Sequence, residues 1–182
     1  RKRLWMLGIR IACRDGGDRL ASWSRRASLT NRLPRASRPR FERAERMTDL
    51  WPRVERLLRE SGRAIERPAR YLNHEWGCTY KPEASYRFVM TYPDTYELGQ
   101  ANQAIRILCN CVNAVEGMAA ERAYLPADDM CRAMRDADLP AFSLESCAPI
   151  GEFQAVGITL PHELAATNVL EFLDLAGIPL RA

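Results

Sequence analysis

The sequence predicts an α/β domain wound on both faces of a mostly parallel sheet. Three observations lead there. Short apolar, β-prone segments recur at residues 86–92, 122–125, 141–144 and 153–160. Helical periodicity fills the intervals, clearest after Gly99, where Ala101, Ala104, Ile105, Leu108, Cys109, Val112 and Val115 share one face. Connections of this length between strands require parallel pairing through right-handed crossovers.

The chain divides into three parts. Residues 1–46 carry 14 basic against four acidic groups, a net of +10, while residues 47–182 carry 13 basic and 19 acidic groups, a net of −6. The basic character therefore belongs to the leader, and the domain itself gives no reason to expect nucleic-acid binding. An Arg-rich, acid-poor leader is compatible with a transit peptide. Its lack of hydrophobic periodicity fits better with sequence upstream of a start at Met47, and the expectation is a leader that is disordered or only locally helical. Its one apolar run, residues 4–13, is too short for a membrane span and is broken by Arg10.

Residues 47–85 form the second part. Leu50, Val54, Leu57 and Leu58 make one apolar stripe, predicting a helix over 49–60 capped by Thr48 or Asp49 and ended by Ser61-Gly62. Residues 68–77 read as extended, with turns at Gly77 and Lys81-Pro82. His74-Glu75 has no further ligand at useful spacing and reads as a surface pair.

The third part, residues 86–182, is the α/β domain. Its first strand runs through Pro93-Asp94 to Gly99, and ligands of open α/β sheets sit beyond the carboxyl ends of strands. The loop from Pro93 to Gly99 is thus the first place to seek a site. Gly117 ends the next helix, and another is expected from Pro126 to about Asp138. The last helix should turn Leu164, Val169, Phe172, Leu173 and Ala176 inward. The segment Gly177-Ile-Pro-Leu180 reads as the approach to a fifth strand, so the sheet is expected to be incomplete at its carboxyl end, with an open parallel edge.

Catalytic and metal constellations are thin. None of the six cysteines has C-x-x-C spacing, and Cys109 and Cys111 would point to different helix faces. Unpaired thiols of this kind suit a cytoplasmic protein. Ser143 and Ser146 beside Glu145 lack a G-x-S-x-G elbow, and His162-Glu163 reads as a helix-capping pair. No catalytic residue and no metal ligand is assigned.

The loop Asp94-Thr-Tyr96-Glu-Leu-Gly99 has the spacing and place of the D-x-H-x-x-G loop of cobalamin-binding domains, with Tyr96 where a cobalt-ligating histidine would stand. A phenol is a poor ligand for cobalt in that role. More widely, residues 50–55, 68–72, 92–99, 142–146, 167–170 and 173–180 resemble the N-terminal region of a bacterial family of radical S-adenosylmethionine (SAM) proteins with a cobalamin-binding-like domain. The resemblance covers residues 49–182. It implies a Rossmann-like or flavodoxin-like fold of the cobalamin-binding type, and possible cobalamin binding by Asp94, Tyr96 and Gly99. Thr159, at the end of the last strand, would line the same edge. The resemblance also implies a following radical SAM domain of the same protein as partner. That domain would hold a 4Fe–4S cluster and S-adenosylmethionine through C-x-x-x-C-x-x-C, a spacing this chain lacks. A cofactor-free α/β binding or interaction module is the alternative.

Overall fold

A computed structural model of the chain describes residues 5–6, 9–13, 49–62, 64–72 and 78–180, the first two spans by backbone alone. Two strands come from the leader, β1 (Trp5–Met6) and β2 (Ile9–Cys13). They are followed by α1 (Trp51–Glu60), β3 (Tyr86–Tyr92), α2 (Tyr96–Ala101), α3 (Gln103–Asn113) and β4 (Met118–Tyr124). The chain continues through α4 (Asp128–Asp136), β5 (Ala155–Thr159) and α5 (Ala166–Leu175). The sheet order is β1-β2-β5-β3-β4. Three strands make its parallel core: β3 pairs with β4 on one side and β5 on the other, Val89 lying level with Glu121 and Val156. β2 adds antiparallel to β5, with Ile11 opposite Gly157.

Alternation along the strands explains why helices cover both faces. Val89, Ala123 and Val156 share the larger core with Leu50 and Val54 of α1, Met130 and Met134 of α4, and Phe172 and Leu175 of α5. Met90, Ala120 and Tyr124 point the other way and pack with Ile105 and Cys109 of α3. This is the doubly wound α/β fold that the strand–helix alternation predicts.

Several elements differ from expectation. The helix after the first strand starts before Gly99 and breaks at Asn102, whose side chain accepts a hydrogen bond from the Ala104 N–H at 2.9 Å and starts α3 afresh. Ala101 and Ala104 are consequently exposed. Residues 68–71 wind into one 3₁₀ turn, Pro68–Tyr71, rather than an extended run; Pro at its first position favours that start. His74, Glu75 and Gly77 lie outside the described residues. α1 begins with Leu50 at its cap, without a side-chain cap bond, and Thr48 is outside the described residues. Leu164 is 81% exposed rather than turned inward. His162 occupies the cap position of a 3₁₀ turn, Glu163–Ala165, without a side-chain cap bond, so it does not cap as expected.

The largest correction concerns residues 141–144. They are not a strand; they open a buried turn closed by a single antiparallel bridge, Phe142 to Pro149. Ser143 N–H donates to the Ala148 carbonyl at 2.9 Å, and Cys147 takes a left-handed backbone at φ 56°. The turn lies along the outer edge of β4. Leu144 N–H donates to the Arg122 carbonyl at 2.8 Å, and Arg122 N–H donates to Glu145 Oε2 at 2.7 Å. Two residues earlier, the Asn113 amide exchanges both its bonds with the Ala120 backbone, at 2.8 and 3.1 Å. Alternate backbone groups of an edge strand face outward, and here side chains and the turn satisfy them where another strand would otherwise pair.

Candidate functional site

In an open sheet of this order the ligand crevice is expected where successive crossovers diverge, outside the carboxyl ends of the first strand and the strand beside it. Here that point lies between β3 and β5. Asp94 follows β3, and Thr159 ends β5, so the structure brings these two expected residues to one edge. Asn168, which the sequence did not single out, ties α5 to this edge through an Nδ2 bond to the Pro93 carbonyl at 2.9 Å.

The remaining groups of the loop are committed to the fold. Asp94 Oδ1 accepts the Thr95 N–H at 2.7 Å, and its carbonyl accepts the Leu125 N–H at 3.1 Å. Tyr96 stands edge-on to Tyr124, with ring centroids 5.7 Å apart and planes at 87°. Gly99 is buried against that same ring: a Cβ at this position would lie 2.2 Å from Tyr124 Cδ1. Its hydrogen side chain is therefore needed for helix–strand contact. Glu97 pairs with Arg70 Nε at 2.9 Å and Arg67 Nη1 at 3.1 Å. The Arg70 bond holds its carboxyl below the ordinary range, with the Arg67 bond adding to it.

A cavity of about 20 Å³ adjoins these residues, lined by Arg70, Tyr71, Tyr96, Tyr124, Phe142 and Leu144 among others. That is room for about one water molecule. The residues do not fit a corrin: the position of the cobalt-ligating histidine holds a phenol packed on another phenol, and the space beside Gly99 contains the Tyr124 ring. α2 is six residues long, too short for a substantial macrodipole to draw an anionic group. Among the described residues no group of three or more His, Cys, Asp or Glu side chains is placed to hold a metal ion.

The concentrated chemistry lies instead on β4, where Glu121 and Arg122 point to opposite faces and are both buried. Glu121 accepts from Arg87 Nη2 at 2.6 Å, Ser143 Oγ at 2.7 Å and Ser146 Oγ at 2.6 Å. The Arg87 guanidinium lies 4.6 Å from the Phe153 ring centroid. Arg122 donates through Nε to Glu145 Oε1 at 2.7 Å, through Nη1 to Gln100 Oε1 at 3.0 Å and through Nη2 to Cys78 Sγ at 3.0 Å. Burial pushes the Glu145 carboxyl up, and Arg122 pulls it back. Two charges and two serines thereby fasten the 142–149 turn to the sheet from both faces. Burial pushes the thiols of Cys109, Cys131 and Cys147 up to about 12, which keeps them protonated near neutrality.

Two charges side by side in the run Met118-Ala-Ala-Glu-Arg-Ala-Tyr124 were the available sequence signal for this network. Their partners in the buried turn lie more than 20 residues away, in Phe142-Ser-Leu-Glu-Ser146, and the others, Cys78, Arg87 and Gln100, precede them in the chain. No helix among the described residues is long and apolar enough to cross a membrane.

Comparison with known proteins touches the same elements. No curated protein and no solved structure matches the chain. Residues 104–182 match a family model described as radical SAM proteins, N-terminal. The matched span holds α3, β4, the buried turn, β5 and α5, and leaves the loop 93–99 outside. Over that span the chain is similar to the N-terminal region of radical SAM proteins.

Proposed function

We propose that this chain is the N-terminal accessory α/β region of a radical SAM iron–sulfur protein, without catalysis of its own. It carries the cobalamin-binding type of fold as a scaffold and holds no corrin. The match over residues 104–182 carries this reading. The packing of Tyr96 and Gly99 on Tyr124 supports the corrin-free part, because a ligand beside the loop would have to displace the chain's own core. Its partner is the radical SAM domain of the same protein, in the cytoplasm, where cluster and S-adenosylmethionine would be bound. A free-standing interaction module is the second reading, favoured by the self-contained closure of the loop.

Reading the gene beyond the codon for Ala182 separates the two. The accessory-region reading expects C-x-x-x-C-x-x-C in frame within about one domain length, roughly 100–200 residues. It also expects the protein from the complete frame to bind iron and form 5′-deoxyadenosine from S-adenosylmethionine. A stop codon without that motif overturns it in favour of the module.

A further inference from the structure

The three helices that pack on the larger core differ in kind. α1 carries five charged residues in ten and α4 five in nine, so each has one apolar and one solvated face. α5 carries two in ten, Glu171 and Asp174, and both lie on its α4 side, 3.2 and 3.6 Å from Arg135 Nη2. Phe172, Leu175 and Ala176 are buried in the larger core. The other flank repeats at helical spacing as Ala166, Val169, Leu170 and Leu173, with no charge among them. Val169 and Leu173 are half-buried, and Leu170 is 51% exposed. Leu160 and Leu164, in the connection from β5, add two more exposed apolar side chains ahead of the helix. A helix that is apolar nearly all round belongs between two layers, and the described residues supply one of them.

We propose that this flank of α5 seats a helix from the radical SAM domain of the same protein. Two features argue for that occupant. The flank is uncharged, and the nearest carboxylates are engaged with Arg135, so the basic leader, net +10, finds no counter-charge there. An uncharged apolar helix face matches it, and residues at i, i+3, i+4 and i+7 form the ridges against which a second helix packs. The second feature is size. The apolar side chains present on the order of a few hundred Å², against roughly 800 Å² per partner in a stable complex of separate molecules. A second copy or a free protein would be held weakly, whereas a covalently joined domain is present at a roughly millimolar effective concentration. The inference rests on the radical SAM reading for the source of the helix, and on α5 alone for where it sits.

The test places one substitution, Leu170→Glu, in two settings: this chain, and the protein from the complete frame. In this chain the side chain is half exposed, so the melting temperature should stay unchanged while binding of the dye 1-anilinonaphthalene-8-sulfonate falls. In the complete protein the same substitution should lower the melting temperature by about 3 °C or more. A benzophenone amino acid at position 170 of the complete protein should crosslink within the same chain, to a peptide beyond residue 182. Equal temperature shifts in the two settings overturn the proposal. So does a crosslink that falls in residues 1–46, joins two copies, or does not form. The radical SAM reading fails separately. A crosslink beyond residue 182 in a protein without C-x-x-x-C-x-x-C upholds the docking flank and overturns that source for the helix; the motif without the crosslink does the reverse. A frame that ends at Ala182 overturns both.

Discussion

Replacing Arg122 with leucine is expected to lower the stability of the fold by about 3–5 kcal/mol, the usual cost of leaving a buried charge without its partner. The side chains of Arg122 and Glu145 are 8% and 4% exposed, so solvent cannot take over the role of either. Glu145 also accepts the backbone N–H of Arg122, which makes it part of the β4 edge as well as half of an ion pair. The combination Arg122→Leu with Glu145→Gln should therefore recover most of the loss. A neutral amide needs no counter-charge, and its oxygen still accepts that N–H. The pH dependence of the single variant has a definite sign. Burial already raises the Glu145 carboxyl, and removing Arg122 takes away the charge that opposes the rise. A raised carboxyl means that the folded state binds more protons than the unfolded one. Stability of Arg122→Leu is then greatest below the unfolded carboxylate value, about 4.3, and falls as pH rises from there through the folded one. Urea unfolding at several pH values reads both effects. A loss under about 1 kcal/mol, as for an exposed pair, or a profile parallel to the parent's, would contradict the assignment.

Gly99→Ala should destabilise by about 2 kcal/mol, although helix propensity alone favours alanine by about 1 kcal/mol. The added methyl would meet Tyr124 Cδ1 at 2.2 Å and Cε1 at 2.5 Å, too close for a small shift to relieve. The ring is buried, edge-on to Tyr96, and its hydroxyl donates to Gln100 Oε1 at 2.9 Å. Moving the ring therefore disturbs both contacts. In a Tyr124→Leu background the same substitution should cost little, giving a coupling of at least about 1 kcal/mol in a double-mutant cycle. A neutral or stabilising Gly99→Ala in the parent chain would show that the glycine serves something other than this contact.

These two sites also mark how far the sequence was legible. The strand–loop–helix at residues 86–99 could be read because apolar periodicity and turn residues are local signals, and the α/β class followed from their alternation. The place of Asp94 and Thr159 at one edge followed from parallel pairing. Three things were not local. The 141–144 segment has the composition of a strand, and only the buried Glu145 and the serines, finding Arg122 and Glu121 across the fold, turn it into a clasp. Gly99 looked like a residue left open for a ligand because the ring that fills the space comes from β4, 25 positions on. Leu164 fitted the helical period, but the helix starts at Ala166 and leaves it on a preceding 3₁₀ turn.

In this doubly wound fold the edge beyond β3 is filled by the chain's own Tyr96 and Tyr124, which leaves no place for a corrin beside the loop. Titration of the chain with hydroxocobalamin tests it most directly. The corrin absorption spectrum should stay unchanged as protein is added, up to the highest soluble concentration, and equilibrium dialysis should find no retained corrin. A saturable spectral shift, lost in a Tyr96→Ala variant of parental stability, would contradict the claim and make the loop from Pro93 to Gly99 a corrin site after all.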